Sequence, residues 1–532
     1  MHVRNEPCIM GIHEIRGVLD SEKGGRSAQM GRPGIKSIRA NVAANAVGKI
    51  WITLLSVLFV PVYLQLLGAE AYGIVTFFAV MQSVLNLMGV GLQRTLRREF
   101  ADTPENEAPD QINERKYRLL RSGETVYFAV CALIIILVAL VSERAATGWL
   151  NYETLNPREV AGTIMLMGAS IGLQMIANLY LGCLFGLDHQ IAANVLQMLW
   201  VTVKQVGVIP VLLLIRPSAG TFYGWHVLND VVFCIIFRLA VLHLIPVSGK
   251  HRWTFRDFSN LKGIWKYAAG ILVISTGSVF NTQLDKIVMS RYLPVTYCGA
   301  YNSTYHIAGF AAYVPTIIGT AVFSRIAAML FNGKRKEAEG LFHYVNKKSV
   351  LVVSAMSAFI AVFSYDILLV WTQSSVYADI MKTAAPFVVI GMALNALQQV
   401  PYDYLLASGN TRINEVQVFA CIPYVLLVTF PMTKRFGVNG AAYAWAAEML
   451  ISTILYLYFF YRTSFGRGAV RWLLREIFPF FLLPFLPAIS LKQLLKSLGM
   501  SSAFQVFCAV LTGGLTLLLM FVLFDRSLFQ KR

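Results

Sequence analysis

The chain has 532 residues, of which 56% are hydrophobic and 14% charged. Soluble domains carry roughly 25% charged residues, so this balance excludes a soluble enzyme, a disordered chain and a nucleic-acid-binding domain. The formal net charge is +18, but the basic residues lie mostly in short loops beside apolar runs. That placement indicates orientation in a membrane rather than a polyanionic partner. Seven widely spaced cysteines without a C-x-x-C pair predict neither a disulfide framework nor a zinc site.

Apolar runs long enough to cross a bilayer recur along the chain, since a helical span needs about 20 mostly apolar residues. The first 40 residues are polar and basic and contain no apolar stretch, so we expect a basic tail and no cleaved signal peptide. The sequence therefore predicts an all-α polytopic membrane protein with about 14 transmembrane helices. The predicted spans are 42–66, 71–92, 124–142, 160–185, 190–214, 220–245, 265–291, 297–323, 349–371, 384–407, 413–432, 436–461, 473–491 and 501–524.

The distribution of Lys and Arg supports this order of spans. Every strongly basic connection, such as 94–121, 250–266 and 325–348, falls on the same side of the membrane. Cytoplasmic connections carry such an excess of Lys and Arg, so both termini are expected in the cytoplasm. The last pair of spans is the weakest, because Lys492 and Lys496 lie in its outer loop.

The two halves of the chain resemble each other. Leu67–Gly73 aligns without a gap with Leu293–Gly299 at an offset of 226 residues, and Asp230 falls opposite Glu448 at an offset near 218. Because each half has an even number of spans, the repeats are parallel and related by an axis along the membrane normal. We therefore expect two pseudo-symmetric six-helix lobes around a central cavity and a C-terminal helix pair. The expected order is a tail, an N-lobe, a basic linker, a C-lobe and the helix pair, at 1–40, 41–245, 246–264, 265–461 and 473–524.

Two groups of motifs resemble those of a known family. One runs from Asn41-Val-Ala-Ala-Asn-Ala through Pro61-Val-Tyr-Leu to Leu67–Gly73. The other is Leu284-Asp-Lys-Ile-Val, followed by Leu293-Pro and Gly299-Ala-Tyr. Over residues 38–465 the chain resembles the bacterial O-antigen-type polysaccharide-biosynthesis flippases. These belong to the multidrug/oligosaccharidyl-lipid/polysaccharide exporter superfamily and are relatives of the lipid II flippases.

The resemblance implies alternating access in a bacterial inner membrane. The implied cargo is a polyprenyl-diphosphate-linked oligosaccharide, such as an O-antigen, capsule or exopolysaccharide repeat unit. H⁺ or Na⁺ is the expected coupling ion, and no cofactor and no nucleic acid partner are expected. We expect a monomer, with a polysaccharide polymerase and a chain-length regulator as candidate partners.

Basic residues within predicted spans are candidates for a cationic cavity. A charged side chain at the bilayer centre costs about 2.5–3.5 kcal/mol and usually faces a cavity or a partner. Lys204 lies near mid-membrane, where it either binds the diphosphate or pairs with Asp230 in the next span. Lys49 and Arg238 lie nearer the inner ends of their spans, so they either face the cavity or reach the interface.

Acidic residues and one histidine within the spans are candidates for ion or proton coupling. His226 and Asp230 are four residues apart on one helical face, where they either relay a proton or form a structural hydrogen-bond network. Asp285 shares a face with small polar residues, and Glu448 is deep enough to need a partner or a proton. Lys286, adjacent to Asp285, is expected to anchor the span at the membrane interface.

Motifs of several other functions are missing. No stretch matches G-x-x-x-x-G-K-[ST], so ATP is not used through a P-loop, and no nucleophile elbow or metal-ligand spacing is present. We therefore predict that the protein is not an enzyme. The nearest alternative to a flippase is a cation-coupled multidrug exporter of the same fold, which the carboxylates Asp230, Asp285 and Glu448 keep open. A membrane-embedded polymerase would need a long outward loop, which the topology does not supply.

Overall fold

A computed structural model of the chain describes residues 35–101, 108–245, 283–410 and 412–524. These residues are helical almost throughout, and among them the only extended pairing is a single bridge between Asn151 and Pro294. The predicted fold class, an all-α polytopic membrane protein, is confirmed. The expected tail and linker, and most of the span predicted at 265–291, lie outside the described residues.

The helices of the first half form what we call the N-terminal bundle, residues 35–245. Proline occupies the first turn of three of them, where its missing N–H costs no hydrogen bond. The helices are α1 (Ile35–Leu58), α2 (Val60–Leu67), α3 (Ala69–Ala101), α4 (Pro109–Arg144), α5 (Pro157–Gly186), α6 (Gln190–Leu214) and α7 (Ala219–Leu244).

The helices of the second half form what we call the C-terminal bundle, residues 283–465. Its helices are α8 (283–292), α9 (Val295–Phe331), α10 (Arg335–Val362), α11 (Ser364–Thr372), α12 (Ser375–Met381), α13 (Ala385–Leu397), α14 (Gln399–Ala407), α15 (Arg412–Tyr424) and α16 (Phe430–Phe465). Gly437 breaks α16 with a φ of 62°, a left-handed conformation that favours glycine. The break lies close to the connection expected between the spans at 413–432 and 436–461.

The remaining helices follow the C-terminal bundle. They are α17 (Ala469–Trp472), α18 (Phe478–Leu482), α19 (Phe485–Ser497) and α20 (Ser502–Phe524). One buried cluster joins these helices to α10. It contains Phe359 of α10, Phe363 directly after α10, Ala488 of α19 and Ala509 of α20. At the end of this interface the Lys492 ammonium contacts the Asp366 carboxylate. The C-terminal helices are therefore docked on the C-terminal bundle.

Nine helical segments of the described chain are long and apolar enough to cross a membrane, or ten if the bent pair Ser375–Met381 and Ala385–Ala407 forms one span. One of the nine, Arg412–Phe465, contains the break at Gly437 and covers two of the predicted spans. The protein is therefore a multi-pass membrane protein. The count of 14 helices and the domain boundaries stay predictions.

The two bundles meet where the repeated segments Leu67–Gly73 and Leu293–Gly299 lie, which we call the junction end. The Val295 N–H donates to the Asn151 carbonyl oxygen at 2.9 Å. The Tyr377 hydroxyl donates to the Ala69 carbonyl oxygen at 3.0 Å. One continuous cluster of buried apolar side chains crosses from one bundle to the other at this end.

Candidate functional site: buried charges in the two bundles

The N-terminal bundle contains a buried ion pair between neighbouring helices. Lys204 of α6 donates from Nζ to both carboxylate oxygens of Asp230 of α7, at 2.9 Å each. Asp230 is fully buried and Lys204 is 8% exposed. Of the two hypotheses for Lys204, the structure therefore contains the pairing with Asp230.

Further donors surround the Asp230 carboxylate. Trp200 Nε1 donates to Oδ1 at 2.9 Å, Ser170 Oγ donates to Oδ2 at 2.6 Å, and Gln174 Nε2 donates to Oδ2 at 3.3 Å. These residues come from α5 and α6, so the carboxylate joins three helices. A buried carboxylate with this many donors is a fully satisfied group.

His226 lies one turn before Asp230 on α7. Its ring packs at 4.2 Å from that of Phe222 and at 5.4 Å from that of Tyr223, measured between ring centroids. Neither ring nitrogen has a hydrogen-bond partner within the described residues, although His226 is only 5% exposed. The two residues share a helical face, but the carboxylate bonds to α5 and α6 rather than to His226.

Arg238 belongs to a second ionic cluster, centred on Glu124. Arg238 Nε donates to Glu124 Oε1 at 2.7 Å, Arg121 contacts Oε2 at 2.7 Å, and the Tyr180 hydroxyl donates to Oε1 at 2.9 Å. Glu124 is 2% exposed. Glu124 was not among the predicted site residues, because it lies at the start of an apolar run. The sequence feature that marks Glu124 is a carboxylate at the first position of the predicted span 124–142.

The C-terminal bundle buries a second acid–base pair, Asp285 and Lys286 of α8. The Tyr301 hydroxyl donates to Asp285 Oδ2 at 2.9 Å, and Lys286 Nζ lies 3.9 Å from Asp285 Oδ1. Lys286 Nζ also lies 3.7 Å from the centroid of the Tyr305 ring, a cation–π contact. The expectation that Lys286 anchors the membrane interface is wrong. It is 4% exposed because α9 packs over it.

A small cavity lies between the two bundles beside this pair. It is lined on one side by residues of α3 and on the other by residues of α8 and α9, namely Thr76, Phe77, Val80, Lys286, Met289, Cys298, Tyr301 and Asn302. Thr76 and Asn302 occupy equivalent positions in the two repeats, at the same offset of 226. The cavity therefore lies between equivalent segments of the two repeats, close to the junction end.

Glu448 of α16 is another buried acid of the C-terminal bundle, besides Asp285 and Asp366. It is 3% exposed and forms a hydrogen bond with the Cys421 side chain. Its Oε1 has no hydrogen-bond partner in the described part of the chain. Asp230 and Glu448 align in the repeat, but within the described residues Asp230 has a lysine partner, whereas the contact found for Glu448 is this thiol. Of the two aligned carboxyl groups, the one in the C-terminal bundle therefore has fewer charge and hydrogen-bond partners among the described residues.

The remaining predicted residue, Lys49 of α1, is exposed. The predicted site residues thus lie in several separate groups and not around one cavity. Lys204 and Asp230 form one group with His226 beside them, Arg238 is in another, and Asp285 and Glu448 lie in the second bundle. Within the described residues, no cluster of three His, Cys, Asp or Glu side chains could hold a metal ion.

Two bundles of long apolar helices that pack across a junction define a multi-pass membrane fold. Solved structures share this fold. The structure of "Lipid II flippase MurJ, inward closed conformation" matches with a TM-score of 0.68 at 13% identity, covering 92% of this chain and 100% of that one. An inward-facing multidrug resistance MATE family transporter of the MOP superfamily matches with a TM-score of 0.63 at 14% identity, covering 80% of this chain and 98% of that one.

The chain belongs to the family described as "Polysaccharide biosynthesis protein", whose profile matches residues 38–330. The MatE profile matches residues 272–431. A Shigella flexneri protein named "Putative O-antigen transporter" is 20% identical over 395 residues, which are 73% of this chain and 89% of that protein. The Haloferax volcanii protein "Probable low-salt glycan biosynthesis flippase Agl15" is 23% identical over 228 residues, 41% of this chain and 46% of that protein.

Proposed function

We propose that this protein is a flippase that moves a polyprenyl-diphosphate-linked oligosaccharide across a bacterial inner membrane by alternating access. The observation that carries the proposal is the family match over residues 38–330 on a two-bundle transporter fold. The names of the two relatives, an O-antigen transporter and a glycan flippase, give the class of cargo. The proposal makes the protein a transporter and not an enzyme.

The proposed orientation puts the junction end on the outer side of the membrane. The connection between α9 and α10 contains Lys334, and Arg335 and Lys336 follow it in the first turn of α10, at the end of α9 opposite Val295. Basic connections of this kind remain in the cytoplasm, so the junction end faces outward and both termini face inward. The contacts at the junction end then close the outer side, and the protein is in an inward-facing state.

Alternating access assigns different tasks to the buried charges. In our proposal Lys204 holds α6 to α7 through Asp230, because both oxygens of its partner lie within hydrogen-bond distance. Arg238 holds α7 to α4 through Glu124 in the same way. Lys49 is exposed and is the predicted cation that remains available to the cargo. Asp285 and Glu448, with His226 as a further candidate, are the proposed sites of H⁺ or Na⁺ coupling, whereas the Asp230 carboxylate is bonded to Lys204.

A cation-coupled multidrug exporter is the second candidate. Two observations favour it, namely the MatE profile match over 272–431 and the carboxyl group of Glu448, whose Oε1 has no hydrogen-bond partner among the described residues. An exporter of cationic drugs needs acids in its cavity, whereas a flippase needs cations for a diphosphate. The exposed Lys49 and the family match over residues 38–330 favour the flippase.

The test is a strain that lacks the gene, compared with the same strain carrying it on a plasmid. Surface polysaccharide is resolved by gel electrophoresis, and lipid-linked intermediates are assayed for accessibility to a membrane-impermeant sugar oxidant. A flippase predicts loss of surface polymer with the intermediates trapped in the inner leaflet. Normal polymer together with raised sensitivity to cationic drugs would instead establish the exporter.

A further inference from the structure

We propose that two equivalent connections, one in each bundle, form a reciprocal latch that holds the junction end closed. The N-strap is residues 145–156, between α4 and α5, and the C-strap is residues 373–384, between α11 and α13 and including α12. Each strap bonds to the start of a helix in the opposite bundle. The inference rests on the proposed function only in that alternating access requires the junction end to open.

The main contacts of the two straps are related by the offset of the internal repeat. Asn151 of the N-strap accepts at its carbonyl oxygen from the N–H of Val295, the first residue of α9, at 2.9 Å. Tyr377 of the C-strap donates from its hydroxyl to the carbonyl oxygen of Ala69, the first residue of α3, at 3.0 Å. Asn151 and Tyr377 are 226 residues apart, and their two partners have the same separation. The contacts therefore join equivalent pairs of residues in opposite directions.

A second pair of contacts repeats this pattern. Arg291, close to the end of α8, contacts the Gly148 carbonyl oxygen of the N-strap, and Gln65, near the end of α2, contacts Gln373 of the C-strap. Gln65 and Arg291 are again 226 residues apart, and the position equivalent to Gln373 directly precedes Gly148. Contacts in which residue i of one copy meets residue j of the other, and j meets i, are characteristic of isologous interfaces. The junction end thus has the contact pattern of a symmetric dimer interface within a single chain.

Each strap is also fixed to its own bundle. The Glu70 carboxylate, in the first turn of α3, accepts from the Thr154 N–H of the N-strap at 3.1 Å. In the C-strap the Asp379 carboxylate accepts from the Tyr365 hydroxyl of α11 at 3.1 Å. Because these bonds lie within one bundle, separation of the bundles leaves them intact. Each strap therefore moves with its own bundle, and opening of the junction end breaks the bonds to the other one.

The N-strap has further contacts with α8. Asn151 Nδ2 donates to the Arg291 carbonyl oxygen at 3.0 Å, and Trp149 Nε1 donates to Ser290 Oγ at 3.0 Å. The bonds of both straps cross between the same two packed bundles, so opening breaks them in one movement. Interfaces of this kind have two discrete arrangements rather than a continuous range. In our proposal the straps therefore set the fraction of molecules in which the junction end is open.

Variants at the two equivalent positions test the latch in the purified full-length protein in detergent micelles. Tyr377→Phe removes the hydroxyl that bonds to Ala69, and Asn151→Ala removes the amide that bonds to Arg291. Loss of one such hydrogen bond should raise the open fraction about twofold to tenfold, and the double variant should exceed either single variant. Cys298 lines the cavity close to the junction end, so its rate of reaction with a charged maleimide, measured by mass spectrometry, reports the open fraction.

Two controls separate opening from unfolding. Cys183 is fully buried near the other end of α5 from the N-strap, so its labelling in the same samples reports unfolding. Tyr424→Phe is the matched control for Tyr377→Phe, because the Tyr424 hydroxyl donates to the Ala444 carbonyl oxygen within one bundle. It should leave the labelling of Cys298 as in the wild type.

Two results would overturn the latch. One is labelling of Cys298 at the wild-type rate in Tyr377→Phe or in Asn151→Ala. The other is an equal rise in the labelling of Cys183 and Cys298, which would assign the strap bonds to overall stability rather than to closure.

This inference and the proposed function can fail separately. If the gene-deletion strain loses surface polysaccharide but the labelling of Cys298 does not respond to the strap variants, only the latch fails. If the labelling responds as expected but the deletion strain makes normal polysaccharide, the latch stands and the flippase does not.

Discussion

Gly73 and Gly299 pack against each other at the junction end, so that a Cβ on Gly299 would lie 3.1 Å from the Cα of Gly73. The same Cβ would lie 2.1 Å from the Tyr377 hydroxyl oxygen, and a Cβ on Gly73 would lie 2.3 Å from the Val295 carbonyl oxygen. The two glycines are equivalent residues of the internal repeat. The two bundles thus pack closely at equivalent residues of the repeat, where only glycine leaves enough room.

Gly299→Ala should open the junction end. The added methyl group meets Tyr377, and overpacking of this kind costs about 1–3 kcal/mol, so the bundles separate or the protein loses stability. Cys298 lines the adjacent cavity and reports on this change. We expect faster reaction of Cys298 with a membrane-impermeant maleimide, measured by mass spectrometry of the labelled peptide.

Gly309→Ala is the matched control for this experiment. Gly309 lies on the same helix, α9, and a Cβ there would meet nothing within 4 Å. Its labelling rate and melting temperature should equal those of the wild type. Equal labelling in Gly299→Ala and Gly309→Ala would show that the glycine contact does not close the junction end.

The pair Lys204 and Asp230 should behave as one structural unit. Removing one partner of a buried pair leaves an uncompensated charge and typically costs 3–5 kcal/mol. We therefore expect Lys204→Met and Asp230→Asn each to lower the melting temperature strongly, and the double variant to recover most of the loss. A double-variant cycle of melting temperatures measures this coupling.

The same double variant separates the two hypotheses for Lys204. If Lys204 only holds α6 to α7, the folded double variant restores surface polysaccharide to the deletion strain. If it also binds the cargo diphosphate, the double variant folds but the polymer is lost. Our account predicts restoration, because the ammonium of Lys204 is already bonded to both Asp230 oxygens.

Glu448→Gln should uncouple transport without unfolding the protein. The change removes a buried carboxyl whose Oε1 lacks a hydrogen-bond partner among the described residues, so the melting temperature should stay the same or rise. Transport driven by an ion gradient should be lost, as measured in proteoliposomes with and without the gradient. Glu143→Gln, at an exposed position, is the control. Gradient-driven transport at the wild-type rate in Glu448→Gln would exclude this carboxyl as the coupling site.

The predicted topology can be tested at the last two spans. Lys492 contacts Asp366 and donates to Gln505 Oε1 at 2.8 Å, which places α19 and the start of α20 beside the first turn of α11. The short helix α11 ends at Thr372, and the next residue, Gln373, contacts Gln65 at the junction end. We therefore expect single cysteines at Gln373 and Ser501 to react with impermeant reagents from outside the cell.

A cysteine at Lys334, in the basic connection between α9 and α10, is the opposite control and should react only after the membrane is opened. Protection of the cysteine at Ser501 in intact cells, with labelling at Gln373, would contradict the arrangement with 14 spans and both termini inside.

Much of the fold could be predicted from the sequence because apolar length and charge bias act locally. The break at Gly437 falls close to the connection predicted between two spans, and Leu67–Gly73 and Leu293–Gly299 lie together as their repeat suggests. The contact between the two glycines could not be predicted from the sequence. A repeat shows which residues are equivalent but not how near the symmetry axis they lie.

The candidate site was harder to predict because burial depends on which helices pack together. Lys286 lies near the end of its span, so sequence position alone put it at the interface, whereas Tyr305 of α9 covers its ammonium. Glu124 was missed because its partner Arg238 is more than 100 residues away, on α7. Asp230 could be matched with Lys204 because both lie at mid-membrane depth in consecutive spans.

The central claim is that this protein moves a lipid-linked oligosaccharide between leaflets. The most direct measurement reconstitutes the purified protein in liposomes that carry a polyprenyl-diphosphate-linked oligosaccharide with a fluorescent sugar, which external dithionite bleaches only in the outer leaflet. Our account predicts that the inner-leaflet pool becomes bleachable with the wild-type protein and stays protected in protein-free liposomes. An inner pool that stays protected with folded wild-type protein, under an imposed H⁺ or Na⁺ gradient of either direction, would contradict the account.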